Sequence, residues 1–154
     1  MYGATGGTLY ACGRAGERFA VRNSGALAVA EGVGDHACEY MTNGTVVVLG
    51  TVGRNFGAGM TGGRAYVLDF LGDFSRRCNT ELVSYDHLVD GEDVRVLQSI
   101  IYQYVEATSS ERAQKILLNW ADYQPMFWKI VPRLHTLSWP PSDAAMEATV
   151  GVRS

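Results

Sequence analysis

Two glycine-rich segments have the spacing of a dinucleotide-binding loop. Residues 57–62 read Gly-Ala-Gly-Met-Thr-Gly, a G-x-G-x-x-G pattern, and residues 32–37 read Gly-Val-Gly-Asp-His-Ala, the G-x-G-x-x-A form. Such a loop binds a pyrophosphate only where it leads into a helix whose N-terminus faces the phosphates. After Ala37 the Asn43-Gly44 turn arrives too soon for that helix, and after Gly62 comes a strand pattern. We therefore interpret these glycines as corners of the fold.

A second group of reactive side chains lies at residues 35–39, which read Asp-His-Ala-Cys-Glu. The spacing matches no standard zinc or iron–sulfur pattern, so further ligands would have to come from other parts of the chain. If the segment is a strand, alternation places Cys38 on one face with His36 and Tyr40, and Asp35 on the other with Glu39. We favour a corner in which Asp35 accepts hydrogen bonds from local backbone amides while Cys38 packs.

The remaining candidates for nucleophilic catalysis lack a suitable context. Cys12, Cys38 and Cys78 have no neighbouring residues typical of a cysteine nucleophile, and the serines lack the strand–turn–helix elbow motif. Three cysteines are an odd and sparse set, which argues against a disulfide framework and favours reduced thiols in the cytoplasm. The sequence therefore predicts no catalytic, cofactor-binding or metal-binding residue in this chain.

The elements that carry these glycines recur with a fixed period. Gly7, Gly25, Gly44 and Gly63 lie 18, 19 and 19 residues apart, and each opens a short apolar strand. A period of this size indicates stacked units, none of which can bury its apolar face alone. The strands are predicted at residues 8–12, 26–30, 45–49 and 64–68. The glycines assigned to architecture are Gly7, Gly25, Gly32, Gly34, Gly44, Gly57, Gly59, Gly62 and Gly63.

Each glycine pair is also preceded by a shorter apolar segment, at residues 18–22, 37–41 and 56–60. Both faces of the main strands are largely apolar, as in buried parallel sheets. Counted from the glycines, Leu9, Leu27, Val46 and Ala65 form one column of a ladder that points to a single face. Two strands and two tight corners per coil predict a right-handed parallel β-helix over residues 1–72.

Residues 73–154 have a different pattern, which we assign to the same structural domain. After a loop-rich segment, apolar periodicity predicts a helix at about residues 92–107. Thr108 and Glu111 fit a capping box for a second helix that buries Ala113 and Ile116. Residues 125–132 are predicted to be a short aromatic helix ending at Pro132, and the tail from Leu137 to be flexible. The two amphipathic helices would cover the outer face of the β-helix and cap its C-terminal end.

The first coil begins in mid-repeat, because residues 3–7 correspond to residues 59–63 with no capping element before them. An uncapped coil exposes unpaired backbone groups and apolar surface. We therefore expect the first coil to be a truncated part of a longer coil, or to pair with another chain as a homo-oligomer.

Bulk composition excludes several classes of partner. The net charge of −3 and 19% of charged residues give no broad basic surface for nucleic acid. No apolar run approaches the length of a membrane span, and the N-terminus lacks a signal-peptide pattern. We expect a cytoplasmic protein that binds neither nucleic acid nor membrane.

The residues at 16–42 resemble the C-terminal GXGXG domain of the glutamate synthase large subunit. The similarity continues through Gly53-Arg54-Asn55-Phe56, residues 59–63 and Arg76-Arg77-Cys78-Asn79, and extends to about His135. The enzyme of that family makes two glutamates from glutamine and 2-oxoglutarate, and passes ammonia between its glutaminase and synthase domains. Its nucleophilic cysteine, FMN and 3Fe-4S cluster belong to those other domains.

The resemblance therefore implies a scaffold, which holds the glutaminase and FMN synthase domains in register and has no catalytic residue of its own. Its partners would be the other domains of the same subunit. An alternative remains: a stand-alone cofactor-binding or metal-binding module that uses the loop Gly57–Gly62 or the cluster Asp35–Cys38.

Overall fold

A computed structural model describes residues 3–133. Its strands form one six-stranded sheet in the order β1-β2-β3-β4-β6-β5. The first three pairings are parallel, and the pairings of β6 with β4 and with β5 are antiparallel. The elements are β1 (Thr8–Tyr10), β2 (Ser24–Ala30), β3 (Asn43–Val48), β4 (Arg64–Leu68), β5 (Val83–His87), α1 (Gly91–Thr108), α2 (Glu111–Leu118), α3 (Trp120–Tyr123) and β6 (Phe127–Pro132), with 3₁₀ turns at Phe74–Arg76 and Gln124–Met126.

The glycine repeat forms a parallel β-helix with a helical extension, which confirms the predicted fold class. Each coil contributes one strand of the parallel sheet, and consecutive coils are joined by backbone hydrogen bonds also outside the sheet. The Cys38 amide donates to the Phe19 carbonyl at 2.8 Å, and the Gly57 amide donates to the Ala37 carbonyl at 3.0 Å. The described coils therefore stack in register on both sides of the solenoid.

The second strand predicted in each coil is wrong, because these segments form consecutive tight turns. The amides of Val21 and Met41 donate to the carbonyls three residues earlier, at 3.3 and 3.2 Å. Every second residue in these segments has a positive φ, a conformation that no β-strand contains. The left-handed residues are Arg18, Ala20 and Arg22 in the first coil, His36, Cys38 and Tyr40 in the second, and Asn55, Gly57 and Gly59 in the third.

The second coil is also shifted by one residue relative to the predicted columns. Ala28, and not Leu27, pairs with Leu9 and Val46, because the register shifts between Ser24 and Leu27. The buried Asn23 stabilises this irregularity: its Oδ1 accepts from the amides of Gly25 and Ala26 at 3.1 and 2.9 Å. The spacing of 18 residues in place of 19 was the sequence signal for this bulge.

The strands separate two apolar layers. One face points into the coil, where Ala28, Val46 and Ala65 lie with residues of the turn segments. The opposite face, which includes Val47 and Tyr66, packs against the helices. The prediction that both faces are covered is thereby confirmed.

Helices α1 and α2 lie over this second face. Asp90 caps α1, where its side chain accepts from the Glu92 amide at 2.9 Å. The cap of α2 is Ser110, which accepts from the Ala113 amide at 3.1 Å, so the predicted cap at Thr108 is wrong. Thr108 is the last residue of α1, and its hydroxyl donates back to the Tyr104 carbonyl.

The C-terminal edge of the β-helix is covered differently from the prediction. Residues 127–132 form strand β6 rather than a helix, and β6 pairs with β4 and with β5. Strand β5 lies in the segment predicted to be a loop. The helices thus cover the outer face of the coils, from Tyr10 in β1 to Tyr66 in β4, whereas two antiparallel strands extend the edge of the last coil.

No helix within residues 3–133 is long and apolar enough to cross a membrane. The predicted flexible tail from Leu137 lies outside the described residues. The boundary predicted at residue 72 runs between strands of one sheet, since β5 and β6 continue the sheet that β1–β4 begin.

Candidate functional site

The loop Gly57–Gly62 is part of the turn segment of the third coil. Gly57 and Gly59 have φ values of 78° and 69°, and the Met60 amide donates to the Gly57 carbonyl at 3.0 Å. Strand β4 follows at Arg64, so the loop does not lead into a helix N-terminus. Its geometry therefore lacks the element that binds a pyrophosphate in dinucleotide-binding folds.

Several of the repeat glycines lie where the neighbouring coil leaves no room for a side chain. A Cβ on Gly44 would lie 2.5 Å from the Ala26 carbonyl oxygen, and one on Gly62 would overlap the Thr42 carbonyl oxygen. Gly25, Gly34 and Gly63 likewise face backbone atoms of adjacent coils at 3.2 Å or less. The surroundings of Gly7 are open, although its φ is 88°, and a Cβ on Gly32 would make only ordinary contacts, at 3.5 Å or more, with Arg14 and Thr51.

The cluster at residues 35–39 is divided between the surface and the interior. Asp35 accepts from the Arg54 backbone amide at 2.7 Å and from the Arg54 guanidinium at 3.1 Å, and these bonds hold the pKa of Asp35 below its usual range. His36 Nδ1 lies 3.2 Å from Glu39 Oε2, and Arg18 of the preceding coil lies 3.5 Å from the same carboxylate. The Arg18–Glu39 and Arg54–Asp35 pairs join adjacent coils in the manner of a ladder, whereas the His36–Glu39 contact lies within one coil.

Cys38 is fully buried inside the coil, away from this ladder. The predicted face shared by Cys38, His36 and Tyr40 does not exist, because the segment is not a strand and Tyr40 is 54% exposed. Burial raises the pKa of the Cys38 thiol, and it raises the pKa of Cys78 to about 12. Neither thiol is therefore activated as a nucleophile. Within residues 3–133 no three His, Cys, Asp or Glu side chains are grouped to hold a metal ion.

A polar network that the sequence did not predict joins the helices to the coil. The Tyr104 hydroxyl lies 2.6 Å from the Ala11 carbonyl oxygen and 3.1 Å from Glu31 Oε2. Ser110, the cap of α2, donates to the same Glu31 oxygen at 2.6 Å. Burial and the Glu31 carboxylate raise the pKa of Tyr104, so its hydroxyl remains a donor at neutral pH. Glu31 is 73 residues from Tyr104 and 79 residues from Ser110, so no local sequence pattern indicates these hydrogen bonds.

A second network fixes α1 to the sheet. Lys129 Nζ lies 2.7 Å from Asp93 Oδ2, and the Tyr66 hydroxyl donates to Asp93 Oδ1 at 3.1 Å. Burial acts to raise the pKa of Asp93, but these two hydrogen bonds outweigh it and lower the pKa. Asp93 thus joins α1 to β4 and β6 as a charged, fully engaged group.

Arg112 of α2 lies over the corner that follows β3. Its Nη1 donates to the Leu49 carbonyl at 2.9 Å, and its guanidinium lies 5.3 Å from the centre of the Phe70 ring. Together, these polar groups act between elements of the chain, and no cluster of metal ligands is present within residues 3–133.

Comparisons with known proteins agree with this architecture. A family model described as the GXGXG motif matches residues 1–133. Ferredoxin-dependent glutamate synthase 2 of Synechocystis sp. is 56% identical over 132 residues, which cover 86% of this chain and 8% of that protein. Ferredoxin-dependent glutamate synthase of Pyropia yezoensis is 50% identical over 149 residues, which cover 97% of this chain and 9% of that protein.

The similarity is not limited to ferredoxin-dependent relatives. The large chain of glutamate synthase [NADPH] from Bacillus subtilis is 49% identical over 134 residues, which cover 86% of this chain and 9% of that protein. The chain thus spans 8–9% of the length of these relatives. With a family model that matches most of its residues, the chain belongs to the GXGXG family, as a GXGXG domain of glutamate synthase.

Proposed function

We propose that this chain is a structural domain that holds the glutaminase domain and the FMN synthase domain of a glutamate synthase in register, without catalysing a step itself. The observation that supports this proposal most strongly is that the groups of the two candidate sites, the loop Gly57–Gly62 and the cluster Asp35–Cys38, are used within the fold. Asp35 bonds Arg54 of the next coil, Cys38 packs inside the coil, and Gly57 and Gly59 turn the backbone.

The construction of the coil suits a spacer. Consecutive strands pair in parallel, both faces of β3 and β4 are buried, and ion pairs join neighbouring coils on the outside. A solenoid in which each coil contacts its neighbours over its whole length resists bending, because bending would separate many hydrogen bonds at once. Such an element can keep two attached domains at a fixed distance.

The alternative, a cofactor-binding or metal-binding module, has no supporting observation in the described residues. Three thiolates are needed for a 3Fe-4S cluster, yet Cys38 is buried, Cys12 is exposed and Cys78 lies between these extremes. The loop Gly57–Gly62 leads into a strand, and Asp35 is already bonded to Arg54. We therefore assign FMN and the iron–sulfur cluster to other domains of the proposed enzyme.

The proposal is tested with the purified chain and a companion polypeptide. By companion polypeptide we mean a glutamate synthase large subunit from the same organism, cut before the region that corresponds to residues 1–133. We expect the pure chain to carry no stoichiometric flavin, iron or zinc by absorption spectroscopy and metal analysis. We also expect it to bind the companion polypeptide in sedimentation experiments. Stoichiometric cofactor in the pure chain, or no binding to the companion, would contradict the proposal.

A further inference from the structure

One surface of the domain combines exposed apolar side chains with cations that form no ion pair within residues 3–133. We call it the Phe70 face, and define it by Arg14, Phe70, Leu71, Arg112 and Tyr123. Two open clefts, of about 330 and 270 Å³, adjoin it and share Phe70 and Arg112 in their linings. The face lies where the corner after β4 meets helix α2.

The apolar residues of this face are held outward by a fixed loop. The Asp69 carboxylate accepts from the amides of Gly72, Asp73 and Phe74 and from the Trp128 indole, all at 3.0–3.2 Å. Phe70 and Leu71, which lie inside this loop, are 42% and 68% exposed. The loop therefore presents large apolar side chains to solvent on a frame that does not need to reorganise before binding.

Two side chains contact the Phe70 ring. The Arg112 guanidinium lies 5.3 Å from its centre, and the Tyr123 ring meets it edge-on at 5.8 Å between centroids. Aromatic residues and arginine in one rigid cluster are the composition that interface anchors favour.

The charges on this face are positive, although the chain as a whole has a net charge of −3. Arg14 donates to the Thr51 hydroxyl at 3.1 Å, and Arg112 donates to the Leu49 carbonyl. Within residues 3–133 neither guanidinium forms an ion pair. The carboxylate of Glu31 also lines the larger cleft and keeps its negative charge, because its donors Tyr104 and Ser110 are neutral, but the two guanidinium groups outnumber it.

We propose that the Phe70 face docks an acidic segment of the companion polypeptide, with an apolar side chain against Phe70 and Leu71 and a carboxylate at Arg14 or Arg112. The positive charge of the arginines favours a carboxylate on the partner. Binding would also remove the apolar surface of Phe70 and Leu71 from water, which is favourable. This inference rests on the proposed scaffold function, and adds to it the surface and the chemistry of the contact.

The test measures binding of the companion polypeptide to the whole chain and to four variants. Leu71→Asp and Arg14→Glu change the face, whereas Tyr102→Asp and Arg76→Glu change an exposed tyrosine and an exposed cation that line neither cleft. All four positions are exposed, so thermal unfolding should confirm that each variant is folded. We expect the face variants to bind about tenfold more weakly or worse, and the two controls to bind as the unchanged chain does. Raising the salt concentration should weaken binding by the unchanged chain more than binding by Arg14→Glu.

The outcomes separate the two proposals. If the unchanged chain and the face variants bind the companion equally, the docking face is overturned and the scaffold function stands. If the unchanged chain does not bind at all, the scaffold function fails and the docking face with it. Sedimentation of the chain alone tests whether a second copy of this chain binds the Phe70 face instead. If the chain self-associates and Leu71→Asp abolishes that association, the proposal that an acidic segment docks there is overturned.

Discussion

The alternating glycines of the third coil occupy the same backbone positions as non-glycine residues of the second coil. Gly57 and Gly59 correspond to Cys38 and Tyr40 in the second coil, and all four have positive φ. The G-x-G spacing thus matches the spacing of left-handed residues in consecutive turns, where the third residue of a turn has φ > 0. The same backbone is adopted by non-glycine residues elsewhere, at a conformational cost of about 1 kcal/mol per residue.

This assignment predicts a specific cost at Gly57. Gly57→Ala should destabilise the domain by about 1 kcal/mol, because alanine disfavours the left-handed φ while the nearest atom to its Cβ, in Val83, is 3.6 Å away. Gly16→Ala is the matched control, since Gly16 has open space and no positive φ, and should be neutral or slightly stabilising. Chemical denaturation of both variants measures the difference. Equal stabilities would show that Gly57 is present for another reason, such as contact with a ligand.

The sequence predicts the place of a residue in the fold only where that residue belongs to a periodic pattern. The glycines recur and were placed at corners, and Ala113 and Ile116 were placed on the buried side of α2. Glu31, Tyr104 and Asp93 gave no signal, because their partners lie far along the chain and only the packing of helices on the coil brings them together. The face predicted for Cys38 was wrong since strand alternation does not apply to consecutive turns.

At the scale of elements, Asp93 is the main charged contact between α1 and the sheet. Its pKa is lowered in the folded state, so the stability that it provides is complete above the pKa of about 3.9 in the unfolded chain. That stability is lost as the pH falls through the lower folded value. Asp93→Asn should therefore cost about 1–2 kcal/mol at pH 7, and the difference from the unchanged domain should shrink below pH 4.

Unfolding measured by denaturant at pH 7 and at pH values from 4 to 2 tests this prediction. Asp122→Asn is the control, because it makes the same change of side chain at an exposed position of α3. Asp35 also has a lowered pKa, so the Asp93 variant should keep part of the acid dependence of the unchanged domain. A constant difference between the Asp93 variant and the unchanged domain across the whole range would contradict the role of the Lys129–Asp93 pair.

The elements themselves were predicted where local pattern and tertiary context agree. The main strands and α1 follow clear periods, and their positions were confirmed within a few residues. Residues 127–132 were misassigned because a short apolar run fits a helix or a strand equally well, and only the open edge of β4 makes it a strand. The cap at Ser110 was missed because Thr108 fits the same motif, although Thr108 lies within α1.

On the scale of the whole molecule, the domain presents three kinds of surface. The edge of β1 has Leu9 at 38% exposure, the edge of β5 carries polar side chains, and the Phe70 face combines apolar and cationic groups. Homo-oligomerisation through the first coil stays a prediction. Under the proposed scaffold function, different surfaces of this kind would bind two neighbouring domains at once.

We propose that the domain maintains register between two active sites and contributes no chemistry of its own. The most direct measurement is the transfer of nitrogen from amide-labelled glutamine to newly made glutamate by the companion polypeptide, with and without this chain. We predict that the chain raises the fraction of released ammonia captured in glutamate, while the rates of glutamine hydrolysis and of synthesis from added ammonia stay nearly constant. Equal capture without the chain, or a partial reaction that proceeds only in its presence, would contradict the account.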